Sequence, residues 1–128
     1  MTVGAALLQP HLSYLRPLQG LLDTGMIKGL AHITGGGLTD NIPRILPDET
    51  AVKIEKGSWP VLPIFTMMQR IGNVSESEMY RTFNMGVGMV IVCSPANVDA
   101  IASHLVDLDE NCYRIGTVTS GNRDVLII

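Results

Sequence analysis

Hydrophobic residues recur along this chain at two spacings, one typical of helices and one typical of strands. Runs at helical spacing alternate with short apolar runs, and Gly or Pro punctuates most of the boundaries. The predicted helices begin after Ser13, Thr39, Trp59, Ser75 and Ser94, and they end near Thr24, Leu46, Ile71, Phe83 and Asp107. The predicted strands are Lys28–Ile33, Ala51–Glu55, Met89–Cys93, Tyr113–Val118 and Val125–Ile128. Helices and strands are therefore interspersed along the chain.

The residue pattern of each strand predicts its place in a sheet. Ala51–Glu55 alternates apolar and charged residues, which predicts one solvated face and a position near the sheet edge. Met89–Cys93 is wholly apolar, which predicts a central strand covered on both faces. The turn residues Ser120–Asn122 predict that the last two strands form a hairpin. Since a hairpin and a crossover connection would share one sheet, the predicted class is α+β, with a mixed β-sheet covered by helices.

Three consecutive glycines, Gly35–Gly37, lie between the first strand and the second helix. Glycine permits positive φ and a close approach of the backbone to a ligand, and the start of a helix attracts anions. With Thr39 as the N-cap, Pro43 falls at N4, close enough to the helix start for a proline to be tolerated. The amides of Asp40–Ile42 would then stay unpaired and face the glycines. This arrangement predicts an anion site.

Polar side chains surround the same loop. Thr34 offers a hydroxyl, Asn41 an amide, and Arg44 a guanidinium with bidentate donor geometry. The pattern lacks the lysine and the spacing of a nucleotide-binding P-loop. Two interpretations are therefore open, a tight strand-to-helix turn or a site for one phosphate, and the convergence of donors favours the phosphate site.

His32 lies just before the loop, at the carboxyl end of a predicted strand, where side chains commonly enter a cleft. Because imidazole titrates near neutrality, His32 could contact substrate or transfer a proton, but it could equally be structural. His11 and His104 fall on predicted helix edges and are expected to be structural. The acidic turn Asp107–Glu110 is expected to hold solvated carboxylates. No pair of His, Cys or carboxylate residues has metal-ligand spacing in a defined element, so no metal site is predicted.

The segment Asn84–Gly88 leads into the apolar strand that begins at Met89. Two glycines at the start of a buried strand indicate a bulge or a close backbone approach. Asn84 could reach a ligand or cap a neighbouring helix, and its position supports both interpretations equally. The methionines of the chain are expected to fill the core.

Composition limits the classes of function. A chain of 128 residues suits one domain, 1–128. Hydrophobic residues make up 46% and charged residues only 16%, which predicts that part of the surface is normally covered. The net charge of -3, without any cluster of Lys and Arg, argues against nucleic acid as the main partner.

The sequence also suggests a cellular location. It has no run of about 18 apolar residues, so no membrane span is predicted. Its first residues lack the basic region of a secretory signal, so a cytoplasmic location is expected. Cys93 and Cys112 lie in or near apolar strand-like runs without metal or redox spacing, and both are expected to be buried, reduced thiols.

Two motifs, His32–Pro47 and Glu78–Met89, are more specific than any single feature. Together they closely resemble the phosphoribosylformylglycinamidine cyclo-ligase family, also called aminoimidazole ribonucleotide synthetase, and the similarity runs over nearly the whole chain. The resemblance implies the fold of that family's carboxyl-terminal domain. It implies ATP-dependent closure of the imidazole ring in de novo purine synthesis, with ATP and Mg²⁺ as cofactors of the complete enzyme. Formylglycinamidine ribonucleotide synthetase and selenophosphate synthetase share the architecture but match these motifs less well.

The resemblance also implies roles for individual residues. The loop Thr34–Gly37 would border the substrate cleft, with His32 close to the reacting end as the catalytic residue, acting as a proton donor or an oxyanion contact. Asn84 and Gly86 would support the same cleft. The expected substrate-binding residues are Thr34, Gly35, Gly36, Gly37, Asn41, Arg44, Asn84 and Gly86. The implied substrate is formylglycinamidine ribonucleotide, and the implied assembly is a homodimer.

The chain departs from the family pattern at its start. The family's amino-terminal domain, which supplies the ATP loops and most of the dimer contact, has no counterpart here, and neither does a further strand and Ser-Gly/His-Asn-Gly loop before Leu7. The resemblance therefore implies a truncated domain that alone has little or no activity and does not hold ATP or Mg²⁺ tightly. The alternative is a non-catalytic binding or assembly module with the same fold. The joint presence of His32, Asn41 and Arg44 favours the cyclo-ligase, because a scaffold would not require them.

Overall fold

The computed structural model describes residues 1–128. The helices are α1 (Val3–Leu7), α2 (Leu15–Leu22), α3 (Gly37–Asn41), α4 (Pro63–Gly72), α5 (Glu76–Thr82) and α6 (Val98–Asp107), with short 3₁₀ segments at Ile42–Ile45 and Pro95–Asn97. The strands are β1 (Ile27–His32), β2 (Thr50–Ile54), β3 (Met89–Cys93), β4 (Gly116–Ser120) and β5 (Val125–Ile127). The predicted α+β class is confirmed. None of the helices is both long and apolar enough to span a bilayer.

The strands form two separate sheets. β1 pairs antiparallel with β3, and His32 lies opposite Met89 in their register. The second sheet has the order β4-β2-β5, in which β2 runs antiparallel to β4 and parallel to β5. This second sheet is therefore the mixed one.

Three strand placements from the sequence are wrong. β2 lies in the middle of its sheet and not near the edge, because both of its sides are paired. β4 and β5 do not form a hairpin, since β2 lies between them. β3 is not central, because its one strand partner is β1, and of its residues only Val90 is buried.

Several helix starts also differ from the prediction. The chain forms α1, which no pattern predicted, and α2 begins after Tyr14 instead of Ser13. α4 begins after Leu62, with Pro63 in its first turn, so Trp59 is not its N-cap. Trp59 is instead buried, and its indole N–H donates to the backbone oxygen of Met85 at 2.9 Å.

The predicted cap of α5 is confirmed. The Ser75 hydroxyl accepts a hydrogen bond from the Glu78 amide at 3.4 Å, and its backbone is extended. Met79 and Tyr80 form the buried face of α5 and pack into the main core. This helix is therefore fixed at its start by the cap and along its length by packing.

The main core lies among β1, α3, β2, α5 and the segment that leads into β3. Its buried residues are Ala31, Ile33, Leu38, Ile42, Leu46, Val52, Ile54, Trp59, Met79, Tyr80, Met85 and Val90. A smaller cluster of Leu21, Ile101 and Leu105 packs α2 against α6. Both cysteines are free thiols as predicted, but Cys93 is half-buried and Cys112 is exposed, so their predicted burial is wrong.

Candidate functional site

The glycine loop bends through two left-handed residues before α3. Gly36 has φ of 103° and is the N-cap, and Gly37 has φ of 58° and is the first residue of the helix. α3 thus begins earlier than predicted, and Thr39 is not its N-cap. Thr39 lies inside the helix, where its hydroxyl donates to the backbone oxygen of Tyr80 at 3.4 Å. Left-handed backbone at both glycines already reverses the chain, so no side-chain cap is needed.

The three glycines have different roles. A Cβ on Gly37 would overlap the backbone oxygens of Tyr80 and Phe83, so this glycine lets α3 approach the end of α5. A Cβ on Gly36 would lie 2.9 Å from the Cβ of Asp40. A Cβ on Gly35 would meet no atom within 4 Å, and Gly35 is exposed. Gly35 is therefore the glycine with room for a ligand.

The backbone amides of α3 are less free than predicted. The N–H of Asp40 donates to the oxygen of Gly36 at 3.0 Å, and the N–H of Ile42 donates to the oxygen of Leu38. These two amides are therefore satisfied within the chain, and the expectation that they stay unpaired is wrong. The N–H groups of Gly35 and Gly36 have no backbone acceptor, so the donors available to a ligand lie within the loop itself.

Asn41 braces the loop from inside. It is 4% exposed, and its side-chain nitrogen donates to the backbone oxygens of Thr34, Gly35 and Gly37 at 3.3, 3.3 and 2.9 Å. The two N–H donors of one amide group are thereby shared among three carbonyls of a tight turn. Since this nitrogen points at the backbone, it serves the shape of the loop, and a direct contact of Asn41 with substrate stays a prediction.

Arg44 lies in the 3₁₀ segment after α3, and its side chain is exposed. It forms neither an ion pair nor a hydrogen bond within the protein. The structure does not connect its guanidinium to the glycine loop. The charged side chain that does lie beside this loop is that of Asp40, which is exposed and pairs with Arg81 of α5 at 3.7 Å.

The two sequence motifs meet at the end of β1. The N–H of Ile33 donates to the backbone oxygen of Gly88 at 2.9 Å, directly after the His32 to Met89 pair. Thr34 and Asn84 line one open depression of about 250 Å³, together with side chains of the core rim. The structure therefore brings the glycine loop and the Asn84–Gly88 segment to one place, as a cleft would require.

Asn84 shapes its own turn. Its side-chain oxygen accepts a hydrogen bond from the Gly86 amide at 2.9 Å, and its backbone oxygen accepts from Val87 at the same distance. Met85 and Gly86 have φ of 52° and 93°, so the chain reverses here through left-handed backbone. Asn84 is not a helix cap in this structure, and its side-chain NH₂ group is left for a ligand.

His32 is exposed at the end of β1, and two further aromatic side chains surround it. The Nε2 atoms of His32 and His11 are 3.3 Å apart, and the rings lie at 89°. Tyr14 packs edge-on against both rings, with centroids 5.8 Å from His11 and 6.1 Å from His32. His11 lies between α1 and α2 and contacts His32, so its assignment to a helix edge is wrong. No local sequence pattern indicated this contact, because 21 residues separate the two histidines.

The remaining ionisable groups have plainer roles. Burial, and then the charge of Glu110, raises the pKa of Tyr14, so its phenol stays protonated at neutral pH. His104 contacts the backbone oxygen of Pro17 at 3.0 Å through Nε2, which supports its structural assignment. Asp107 and Asp109 are exposed, as expected of solvated carboxylates. No group of three or more His, Cys, Asp or Glu side chains is placed to hold a metal ion.

Comparisons with known proteins agree on the kind of domain. All residues 1–128 match the family described as AIR synthase related protein, C-terminal domain. Phosphoribosylformylglycinamidine cyclo-ligase of Bifidobacterium longum is 44% identical over 126 residues, which cover 98% of this chain and 36% of that protein. The enzyme of the same name from Thermoanaerobacter sp. is 46% identical over 127 residues, covering 99% of this chain and 38% of that protein. The chain thus spans little more than a third of the length of these relatives.

Solved structures share the fold at low sequence identity. The crystal structure of E. coli HypE, a hydrogenase maturation protein, has a TM-score of 0.68 and 18% identity over 89% of this chain and 36% of that one. Thiamine-monophosphate kinase from Stenotrophomonas maltophilia has a TM-score of 0.60 and 15% identity over 84% of this chain and 33% of that one. The full-length family match and the 44–46% identity to the curated relatives decide the assignment. This chain belongs to the AIR synthase related protein, C-terminal domain family.

Proposed function

We propose that this chain is the substrate-cleft part of a phosphoribosylformylglycinamidine cyclo-ligase, which closes the imidazole ring in de novo purine synthesis with ATP. The observation that carries this proposal is the junction of the two motifs. Ile33 is bonded to Gly88, and Thr34 and Asn84 line one depression, in a chain 44–46% identical to enzymes of that name.

The exposed groups at this junction suit a phosphorylated ribonucleotide. Thr34 presents a hydroxyl, and the N–H groups of Gly35 and Gly36 have no backbone acceptor. Such donors match the oxygens of a phosphate. His32 lies next to them at the end of β1, where it can touch the reacting end as a proton donor or an oxyanion contact. Asn84 contributes its side-chain NH₂ group to the same depression.

The remaining site residues act at a distance in this proposal. Asn41 keeps the loop carbonyls turned inward, and Gly86 permits the turn that places Asn84. Gly37 gives the close contact between α3 and α5. Arg44 is exposed and without an ion-pair partner, so it is available to another domain or to the substrate tail.

The complete enzyme requires more than this chain. Its matched relatives are nearly three times as long, so we place ATP and Mg²⁺ on the part that this chain does not cover, and we expect no ring closure from the chain alone. Large apolar side chains are exposed along its first residues, including Leu8 at 84% and Leu15 at 71%. Such a surface suits contact with the rest of a cytoplasmic homodimer.

A chimera tests the proposal. The chain replaces the matching segment of the Thermoanaerobacter enzyme, and ATP-dependent ring closure of formylglycinamidine ribonucleotide is measured. We expect turnover within about tenfold of the parent, because the two chains are 46% identical and interface mismatches of about 1 kcal/mol cost less than that factor. His32→Asn in the same chimera should lose most of that turnover. A folded chimera that binds ribonucleotide or partner subunits without turnover would support a non-catalytic module instead.

A further inference from the structure

We propose that His11 is a positioning residue for His32, and that it makes Nδ1 the nitrogen through which His32 exchanges a proton with substrate. The two imidazoles come from the segment between α1 and α2 and from the end of β1, and their Nε2 atoms are 3.3 Å apart. The role in proton exchange rests on the proposed function, whereas the orientation of the His32 ring by His11 does not.

A backbone carbonyl sets the tautomer of His11. Nδ1 of His11 lies 2.7 Å from the backbone oxygen of Leu12, and because a carbonyl oxygen can only accept, Nδ1 donates its proton there. A neutral imidazole carries a single N–H, so Nε2 of His11 has a lone pair and no proton. His11 is therefore a hydrogen-bond acceptor toward His32.

The hydrogen of the bond between the two rings belongs to His32. Since Nε2 of His11 accepts, Nε2 of His32 donates. This is the one hydrogen bond that the His32 side chain makes, and no ion pair with a carboxylate fixes the ring from another side. In the neutral ring Nδ1 then has the free lone pair. Nδ1 is therefore the nitrogen of His32 that is left for a ligand.

This arrangement lets His32 gain and lose a proton without turning its ring. Neutral His32 accepts a proton at Nδ1, and the resulting imidazolium keeps its Nε2–H on His11 while Nδ1–H becomes a donor. Transfer of that proton to the substrate restores the same neutral tautomer. Acid–base catalysts are commonly oriented by a third group in this way. Tyr14 packs edge-on against both rings and limits their rotation.

Nitrogen-15 NMR of the imidazoles in the 128-residue chain tests the orientation. At about pH 8, where an ordinary imidazole is neutral, we expect the proton of His11 on Nδ1 and the proton of His32 on Nε2. His11→Phe keeps an aromatic ring beside Tyr14 but has no acceptor, so part of the His32 population should then carry its proton on Nδ1. A wild-type His11 protonated on Nε2, or His32 signals that His11→Phe leaves unchanged, would overturn the orienting bond.

Two substitutions of His11 in the chimera separate hydrogen bonding from packing. His11→Gln replaces the ring with an amide whose oxygen can still accept from Nε2–H of His32, whereas His11→Phe keeps a ring and removes the acceptor. We expect kcat to fall about tenfold or more in His11→Phe and less than about threefold in His11→Gln, with KM nearly unchanged in both. Acid–base catalysis contributes about 10²–10⁴-fold, and loss of the orienting bond removes part of that factor.

The order of the two variants decides the role of His11. If His11→Phe is as active as His11→Gln or more active, His11 serves packing alone and the proposal is wrong. A wild-type chimera that lacks turnover would overturn the proposed function and with it the proton exchange at His32. The nitrogen signals of the 128-residue chain would still decide whether His11 orients His32, so the two failures are distinguishable.

Discussion

The backbone N–H of Ile33 donates to the oxygen of Gly88 at 2.9 Å, and this one bond joins the two motifs of the candidate site. It continues the β1–β3 pairing one residue beyond the His32 to Met89 pair. The glycine loop and the Asn84 turn therefore leave the same sheet side by side. Thr34 and Asn84 reach one depression because their strands are held in this register.

Substitution of Gly37 by Ala should destabilise the fold strongly. The new Cβ would overlap the oxygens of Tyr80 and Phe83, and the residue would have to keep φ of 58°. Backbone overlap and left-handed strain together should cost more than about 2 kcal/mol in the free energy of unfolding, measured in urea. Gly35→Ala is the control and should change that free energy by less than about 1 kcal/mol, because its Cβ meets nothing. Equal losses would contradict the close approach of α3 to α5.

Asn41→Ala should loosen the glycine loop. It removes the donor that serves the oxygens of Thr34, Gly35 and Gly37 inside a nearly buried site. We expect a loss of about 1–3 kcal/mol in the free energy of unfolding and faster amide exchange in the loop. Asn122→Ala, in an exposed turn, should change neither quantity. An unchanged exchange rate at Gly35 and Gly36 would argue against the bracing role.

Removal of the indole donor in Trp59→Phe should leave the backbone oxygen of Met85 without a partner. Both residues are buried, so the lost hydrogen bond should cost about 1–3 kcal/mol, to which any loss of packing adds. Chemical denaturation monitored by circular dichroism measures the change. Tyr113→Phe removes a polar group from an exposed aromatic residue and should cost less than about 0.5 kcal/mol. A Trp59→Phe variant as stable as this control would be evidence against the bond.

Stability should fall at alkaline pH because of Tyr80. Burial, and then the charge of Glu76, raises its pKa in the folded state above the ordinary 10.0. The unfolded chain therefore loses the phenolic proton first, so the stabilisation is complete below pH 10.0 and is lost as pH rises through the folded pKa. Tyr80→Phe should show a smaller decline in the free energy of unfolding across this range.

Lys56 also contributes to the alkaline decline in the free energy of unfolding, so part of that decline should remain in Tyr80→Phe. The hydrogen bond that the Lys56 ammonium donates to the Glu76 carboxylate raises the pKa of Lys56, so the stabilisation that it contributes is also lost as pH rises. Tyr113→Phe is the control, and its decline should match that of the wild type. Identical pH profiles for wild type and Tyr80→Phe would show that Tyr80 titrates alike in both states.

Local residue patterns predicted the elements well, because they depend on near neighbours. The Ser75 cap, the strand Met89–Cys93 and the helix ending at Asp107 all lie where spacing and capping chemistry indicate. Strand order failed because pairing joins distant residues. Nothing in the turn at Gly121 shows that β2 inserts between β4 and β5.

At the candidate site, too, local features were predicted and contacts between distant residues were not. The strand-glycine-helix order and its meeting with Asn84 agree with the structure. The inward turn of the Asn41 side chain depends on loop carbonyls whose directions the sequence does not give. His11 was assigned to a helix edge, but its contact with His32 needs the chain to return across 21 residues. Short-range patterns do not carry that information.

Substitutions of Thr34 and Asn84 should distinguish effects on ribonucleotide binding from effects on stability. The Thr34 side chain is exposed and makes no hydrogen bond in the protein, so Thr34→Val should change the free energy of unfolding by less than about 0.5 kcal/mol. If its hydroxyl holds the ribonucleotide, one lost hydrogen bond of about 1 kcal/mol should raise the ribonucleotide KM of the chimera roughly fivefold. Asn84→Ala should raise KM and also lower stability by about 1 kcal/mol, because the Gly86 amide loses its acceptor. An unchanged KM in Thr34→Val would remove Thr34 from the binding surface, whatever the result for Asn84.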